Sequence, residues 1–98
     1  MATIKRFEDL EIWQLARLLC SKVFVFIERE KFSRDYKLSN QNNSSTESVM
    51  DNVAEGFARG GRKEFVQFLF ISKVSCSETK SQLYRAIDRK YISYAKFD

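Results

Sequence analysis

Residues 52–65 read Asn-Val-Ala-Glu-Gly-Phe-Ala-Arg-Gly-Gly-Arg-Lys-Glu-Phe, an apolar helical run that meets glycines and restarts in basic residues. All three glycines of the chain, Gly56, Gly60 and Gly61, lie in this window, and there is no proline to end a helix by other means. The break is therefore made by glycine, and the stretch predicts the corner of a helical hairpin.

On the N-terminal side, Trp13, Ala16, Cys20, Val23 and Ile27 recur at steps of three and four, which predicts a helix over about 7–30 with this stripe as its core seam. A second stripe, Ile12, Leu15, Leu19 and Phe26, lies on another side, interrupted only by Lys22. One bundle core cannot cover both, so the extra face is expected to bury itself by self-association. Glu8, Asp9 and Glu11 are placed to complement the positive end of this helix. Lys31 to Asp35 reads as a charged connection. From Ser39 to Ser48 the composition is that of a polar loop, since serine and asparagine are mediocre helix formers and offer no apolar face.

Beyond the glycines, Phe65, Leu69, Ser72, Cys76, Thr79, Leu83 and Ala86 share one face of a helix expected over 62–91, widened by Phe68, Ile71 and Ile87. Its middle is made of small residues, Ser72, Ser75, Cys76 and Thr79, which let a neighbouring helix come close. Ser93 is a candidate N-cap for a last helix beginning over 93–98.

A chain of 98 residues makes one domain, and 44% hydrophobic with 31% charged residues describes an ordinary globular protein. Nine phenylalanines, four tyrosines and one tryptophan predict an aromatic helical core. Lys and Arg total 17 against 13 Asp and Glu, a formal charge of +4 that permits acidic partners without demanding them. Cys20 and Cys76 lack a paired motif and read as reduced structural thiols. With no apolar leader or membrane-length apolar run, a cytoplasmic protein is expected.

The chemistry-bearing candidates are few. Histidine is absent, which removes the commonest neutral-pH base and metal ligand. Asn52, Glu55, Glu64, Glu78 and Gln82 could outline a carboxylate metal site inside a bundle, but the Glu-x-x-His pattern is missing; they read as a structural polar cluster, with Asn52 and Glu55 tying two helices together. No metal, cofactor or catalytic residue is expected. The glycine corner lacks the spacing and the hydroxyl of a phosphate-binding P-loop. What remains is a basic knob of Arg59, Arg62 and Lys63, and a second cluster of Arg85, Arg89 and Lys90 about 40 Å along the helix.

Arg6-Phe7-Glu8-Asp9-Leu10 with Trp13, then Leu38, Gln41, Ser48-Val49, Asn52 to Gly56, Glu78, Gln82 and Tyr91-Ile92-Ser93 together carry a resemblance. The chain resembles the four-helix-bundle proteins encoded in intervening sequences of bacterial 23S rRNA genes, relatives of the accessory variability determinants of diversity-generating retroelements. The resemblance implies an all-α, antiparallel up-and-down four-helix bundle, with helix two over 37–58 including the polar run and with the fourth helix truncated or missing in this chain. It also implies a ring-like homopentamer and an association with RNA. Asn42, Asn43, Ser44 and Met50 depart from the family pattern. The resulting expectation is a non-enzymatic homo-oligomer that binds nucleic acid, RNA favoured over DNA, through phosphate contacts from the six basic residues. The alternative is a scaffold or accessory subunit that contacts another protein without nucleic acid.

Overall fold

The computed structural model describes residues 4–93. Regular structure among them is entirely helical: α1 (Glu11–Ile27), α2 (Glu30–Arg34), α3 (Tyr36–Ala58) and α4 (Arg62–Asp88), preceded by a 3-10 turn at Phe7–Asp9. The three long helices run antiparallel in chain order within a rod of 47 × 19 × 18 Å. α1 and α4 both pack on α3, while their backbones scarcely approach each other. The last helix expected to begin over 93–98 falls, after the exposed Ser93, on residues outside the described ones.

α1 begins later than the sequence periodicity implied. Leu10 is extended (φ −74°, ψ 126°), which separates the 3-10 turn from the helix and lets Phe7 meet Trp13 edge-on, with ring centroids 5.1 Å apart. The Glu8 carboxylate takes Arg6 at 2.8 Å, and no side chain caps the helix start. The charged connection expected at Lys31–Asp35 is largely the short helix α2, and the reason is Phe32, which is 0% exposed. Anchoring that ring draws the linker into a turn against the core, where Val23, Phe32, Leu38, Leu83, Ala86 and Ile92 form one cluster. Burial of each large apolar side chain there contributes about 1.5–3 kcal/mol relative to exposure.

The polar run from Ser39 to Ser48 is continuous helix. Its side chains turn their hydrogen-bonding groups into the helix and across to α4 instead of breaking the backbone ladder. Thr46 donates to the Asn42 carbonyl at 2.6 Å, Ser72 of α4 donates to the Val49 carbonyl at 2.9 Å, and the Ser48 and Ser75 hydroxyls meet at 2.9 Å. Asp35 starts α3 by accepting the Leu38 amide at 3.2 Å.

At the corner, α3 ends at Ala58 and Gly60 takes the left-handed conformation (φ 79°) that residues with a side chain adopt reluctantly. Gly56 serves the packing: a Cβ there would lie 2.6 Å from the Cβ of Phe68, so α3 and α4 approach more closely at this point than any side chain permits.

Candidate interaction surfaces

The six basic residues do not present six free cations. Arg59 is paired with Glu55 at 3.0 Å and lies over the Phe68 ring, 5.2 Å from its centroid. Arg85 donates to the Gln41 carboxamide at 3.3 Å. Arg89 forms an ion pair with Asp35 at 2.5 Å, where the Tyr91 hydroxyl also donates at 2.9 Å. This latch ties the end of α4 to the start of α3. The Tyr91 hydroxyl, the Leu38 amide and the Arg89 guanidinium hold the Asp35 carboxyl below the usual carboxylate range, and the carboxylate in turn raises Arg89 and Tyr91. Lys90 adopts a left-handed backbone (φ 63°) that lets the Tyr91 amide reach the Ala86 carbonyl at 2.8 Å. Among the described residues, Arg62, Lys63 and Lys90 make no ion pair. Arg62 and Lys63 open α4, where the positive helix end adds to their charge.

The five residues expected to form one polar cluster are dispersed. Asn52 donates back to Ser48 of its own helix, at 2.8 Å to the carbonyl and 2.9 Å to the hydroxyl. Glu55 belongs to Arg59, so neither residue ties α3 to α4. Glu64 folds back over Gly61, close to where a Cβ would stand. Glu78 is exposed on the wall of an open polar groove between α3 and α4. Only Gln82 joins the helices, accepting from Asn42 at 3.0 Å and Ser45 at 2.7 Å. The expectation failed because residues one helical turn apart satisfy one another locally before they reach a second helix.

The residues that do join the helices were hidden in the polar run. Asn42 is 0% exposed and donates to the Thr79 carbonyl at 3.2 Å as well as to Gln82. The carbonyl can only accept, so it fixes which end of the Asn42 amide faces α4, and Asn42 fixes Gln82 in the same way. The polar groove beyond them, about 720 Å³, is lined chiefly by hydroxyls and carboxamides with Glu78 and Arg85.

Large apolar side chains also reach the surface among the described residues. The second stripe of α1 splits: Leu19 and Phe26 pack against the core, whereas Ile12 and Leu15 are exposed. Sequence periodicity did not single out Leu18, Phe24 and Val25, which are also exposed and make α1 apolar nearly all round. On α4, Val66, Phe70 (64% exposed) and Val74 form an outward stripe whose four-residue spacing was legible in the sequence. Cys76, expected in the core, is exposed, because the side of α4 that carries it has no helix against it among the described residues. Cys20 is half-buried and donates to the Thr46 carbonyl at 3.3 Å. Burial and then the nearby Asp51 and Glu47 carboxylates push its thiol upward, away from the thiolate a nucleophile needs.

No helix among the described residues is long and apolar enough to cross a membrane. The helices, their antiparallel order and the close α3–α4 approach define an all-α bundle protein. Residues 8–98 match the family model described as 23S rRNA-intervening sequence protein, and the chain belongs to that family. No curated protein and no solved structure matches it.

Proposed function

We propose that this chain is a non-enzymatic, self-associating helical-bundle protein that works as a scaffold. The observation that carries the reading is the outer face of α1, where Leu15, Leu18 and Val25 are each more than half exposed. Together with the Val66–Phe70–Val74 stripe they give the protein apolar surface on two sides, which monomeric soluble proteins rarely tolerate. Light scattering tests this directly. The wild-type chain is expected to run as a defined oligomer, five copies in the ring implied by the resemblance, and Leu18→Glu with Val25→Glu to run as a folded monomer. A wild-type monomer at tens of micromolar would rule out the scaffold as a homo-oligomer.

A second reading is supported by Arg62, Lys63 and Lys90, which keep their charge for a partner, and by the net charge of +4 that each copy brings to an oligomer. In it, the assembly holds RNA, or DNA less readily, by phosphate contacts without reading bases. Arg59, Arg85 and Arg89 contribute less, because each already has an internal partner. Binding to single- and double-stranded RNA and DNA across a salt series checks it. Affinity should fall steeply with salt, and Arg62→Glu with Lys63→Glu should weaken binding while Arg89→Glu mainly loosens the fold.

A further inference from the structure

The polar groove of about 720 Å³ is walled by α3 and α4 alone, and none of its lining residues comes from α1. Two of its carboxamides have their oxygen ends occupied. Gln82 Oε1 accepts from Asn42 at 3.0 Å and from Ser45 at 2.7 Å, and Gln41 Oε1 accepts from Arg85 at 3.3 Å. Each therefore turns its amino end, a donor without an acceptor, away from these contacts. Gln82 is the telling case: it is 8% exposed and lines the groove, and its Nε2 makes no hydrogen bond among the described residues. A nearly buried donor left open toward a cavity is satisfied only by an oxygen that comes from outside the chain.

Arg85 stands one turn from Gln82 on α4 and uses one N–H on Gln41, a neutral partner, so its charge is uncompensated. Two amides and a guanidinium thus share one end of the groove, a donor set suited to a carboxylate. Glu78 lies one turn from Gln82 in the other direction, about 10 Å along α4 from Arg85. It is exposed and forms no ion pair among the described residues, which leaves it open to a cation. The wall between these charges is hydroxyl, from Ser44, Ser48 and Ser81. Beyond Arg85 the next turn brings Lys37 of α3 and Asp88 of α4, one of each sign and neither in an ion pair. Beyond Glu78, α3 continues to Asp51 and to Glu55, which Arg59 already holds, so that end stays negative.

We infer that this groove binds an extended polar peptide segment carrying one acidic and one basic side chain three residues apart. The acidic side chain's carboxylate takes Arg85 and the amino ends of Gln41 and Gln82, and the basic side chain meets Glu78. Three residues of extended chain span about 10 Å, the separation of the two charges on α4. The peptide groups between them face the serine hydroxyls, which donate or accept as the chain requires. Opposite charges at the two ends select the ligand more than they tighten it, because a second acid would face Glu78 and a second base would face Arg85. The site is separate from the outer face of α1 and needs neither the oligomer nor nucleic acid.

The test uses the full chain and fluorescently labelled six-residue peptides of serine and glycine with capped ends, read by anisotropy. One carries lysine and glutamate three residues apart; the others carry two lysines, two glutamates, or lysine and glutamate adjacent. The first should bind about tenfold or more tightly than the rest. Arg85→Glu should move the preference to the doubly basic peptide, and Glu78→Arg to the doubly acidic one. Both residues are exposed, so both variants are expected to keep their helical circular dichroism. Gln82→Glu keeps an inward oxygen for Asn42 and Ser45 but replaces the Nε2 donor by a second oxygen, and should abolish the preference for the mixed peptide. Equal binding of all four peptides, binding of none, or an unchanged preference in the folded Arg85→Glu and Glu78→Arg variants would overturn the proposal. So would single-stranded RNA that binds in a way Arg85→Glu abolishes while no peptide binds, since the groove would then belong to a phosphate backbone.

Discussion

Near α2, the helices meet through Val23, Phe32, Leu38, Leu83 and Ala86, all of them apolar and buried. About one turn along α3, that helix and α4 meet through Asn42, Ser45 and Thr46 against Thr79 and Gln82, joined by hydrogen bonds between 2.7 and 3.5 Å. Apolar contact is strong but tolerant of sliding, because it depends on area more than direction. The polar seam adds little net stability per bond, about 0.5–1.5 kcal/mol, yet each bond is lost if α4 slips by one residue. On this hypothesis the α2 end supplies most of the stability and the seam sets the register of α4 on α3.

Phe32→Ala should give the largest effect, destabilising the fold by about 3–5 kcal/mol in urea unfolding, because the ring is fully enclosed and stacks on Tyr91 with centroids 5.7 Å apart. A cost of about 1 kcal/mol would mean that α2 is a surface turn and that the α2 end does not supply most of the stability. Gly56→Ala comes next, at about 1–3 kcal/mol, since the new methyl must move against the Phe68 Cβ and both atoms sit on helices that cannot yield locally.

The seam is sharpened by a double-mutant cycle. Gln82→Leu removes the acceptor of Asn42 and Ser45 and should cost about 1–3 kcal/mol; Asn42→Leu should cost a similar amount by stripping Gln82 and Thr79 of a donor. Made together, the two should cost clearly less than their sum, because neither then strands the other. Strict additivity would show that the bond between them does not matter. A register role makes a second demand: the double variant should lose dispersion in its amide NMR spectrum more than it loses stability.

How legible this architecture was in the sequence differs in the same two places. Val23, Leu83 and Ala86 announce themselves through helical spacing, and Gly60 through the need for a left-handed residue. Asn42 does not. In a run of ten polar residues, nothing local distinguishes the one side chain that is fully buried from Asn43 beside it, which is exposed. The matching feature was the small polar middle of α4, and only the pairing of both segments explains either. The basic residues were misleading for a related reason: a guanidinium in the sequence reads as available until its carboxylate is found, one turn away for Arg59 and 54 residues away for Arg89.

The smallest effect lies at the latch that joins the two ends of the α3–α4 pair. Asp35 has its carboxyl held low, chiefly by the Tyr91 hydroxyl and also by the Leu38 amide and Arg89. A folded value below the unfolded one means that the unfolded chain binds the proton more readily. The stabilisation is then whole above the ordinary aspartate value of about 3.9 and is lost as pH falls through the lower folded value. Tyr91 runs the other way: Asp35 raises it, so its contribution is whole below about 10 and fades as pH rises through the folded value. Asp35→Asn preserves a side-chain cap for α3 but removes the charge. Its unfolding midpoint should therefore sit slightly below that of the wild type at pH 7 and converge with it between pH 4 and 2. A constant gap down to pH 2 would assign the loss to the cap geometry and leave the Arg89 and Tyr91 contacts without a share in the stability of this end.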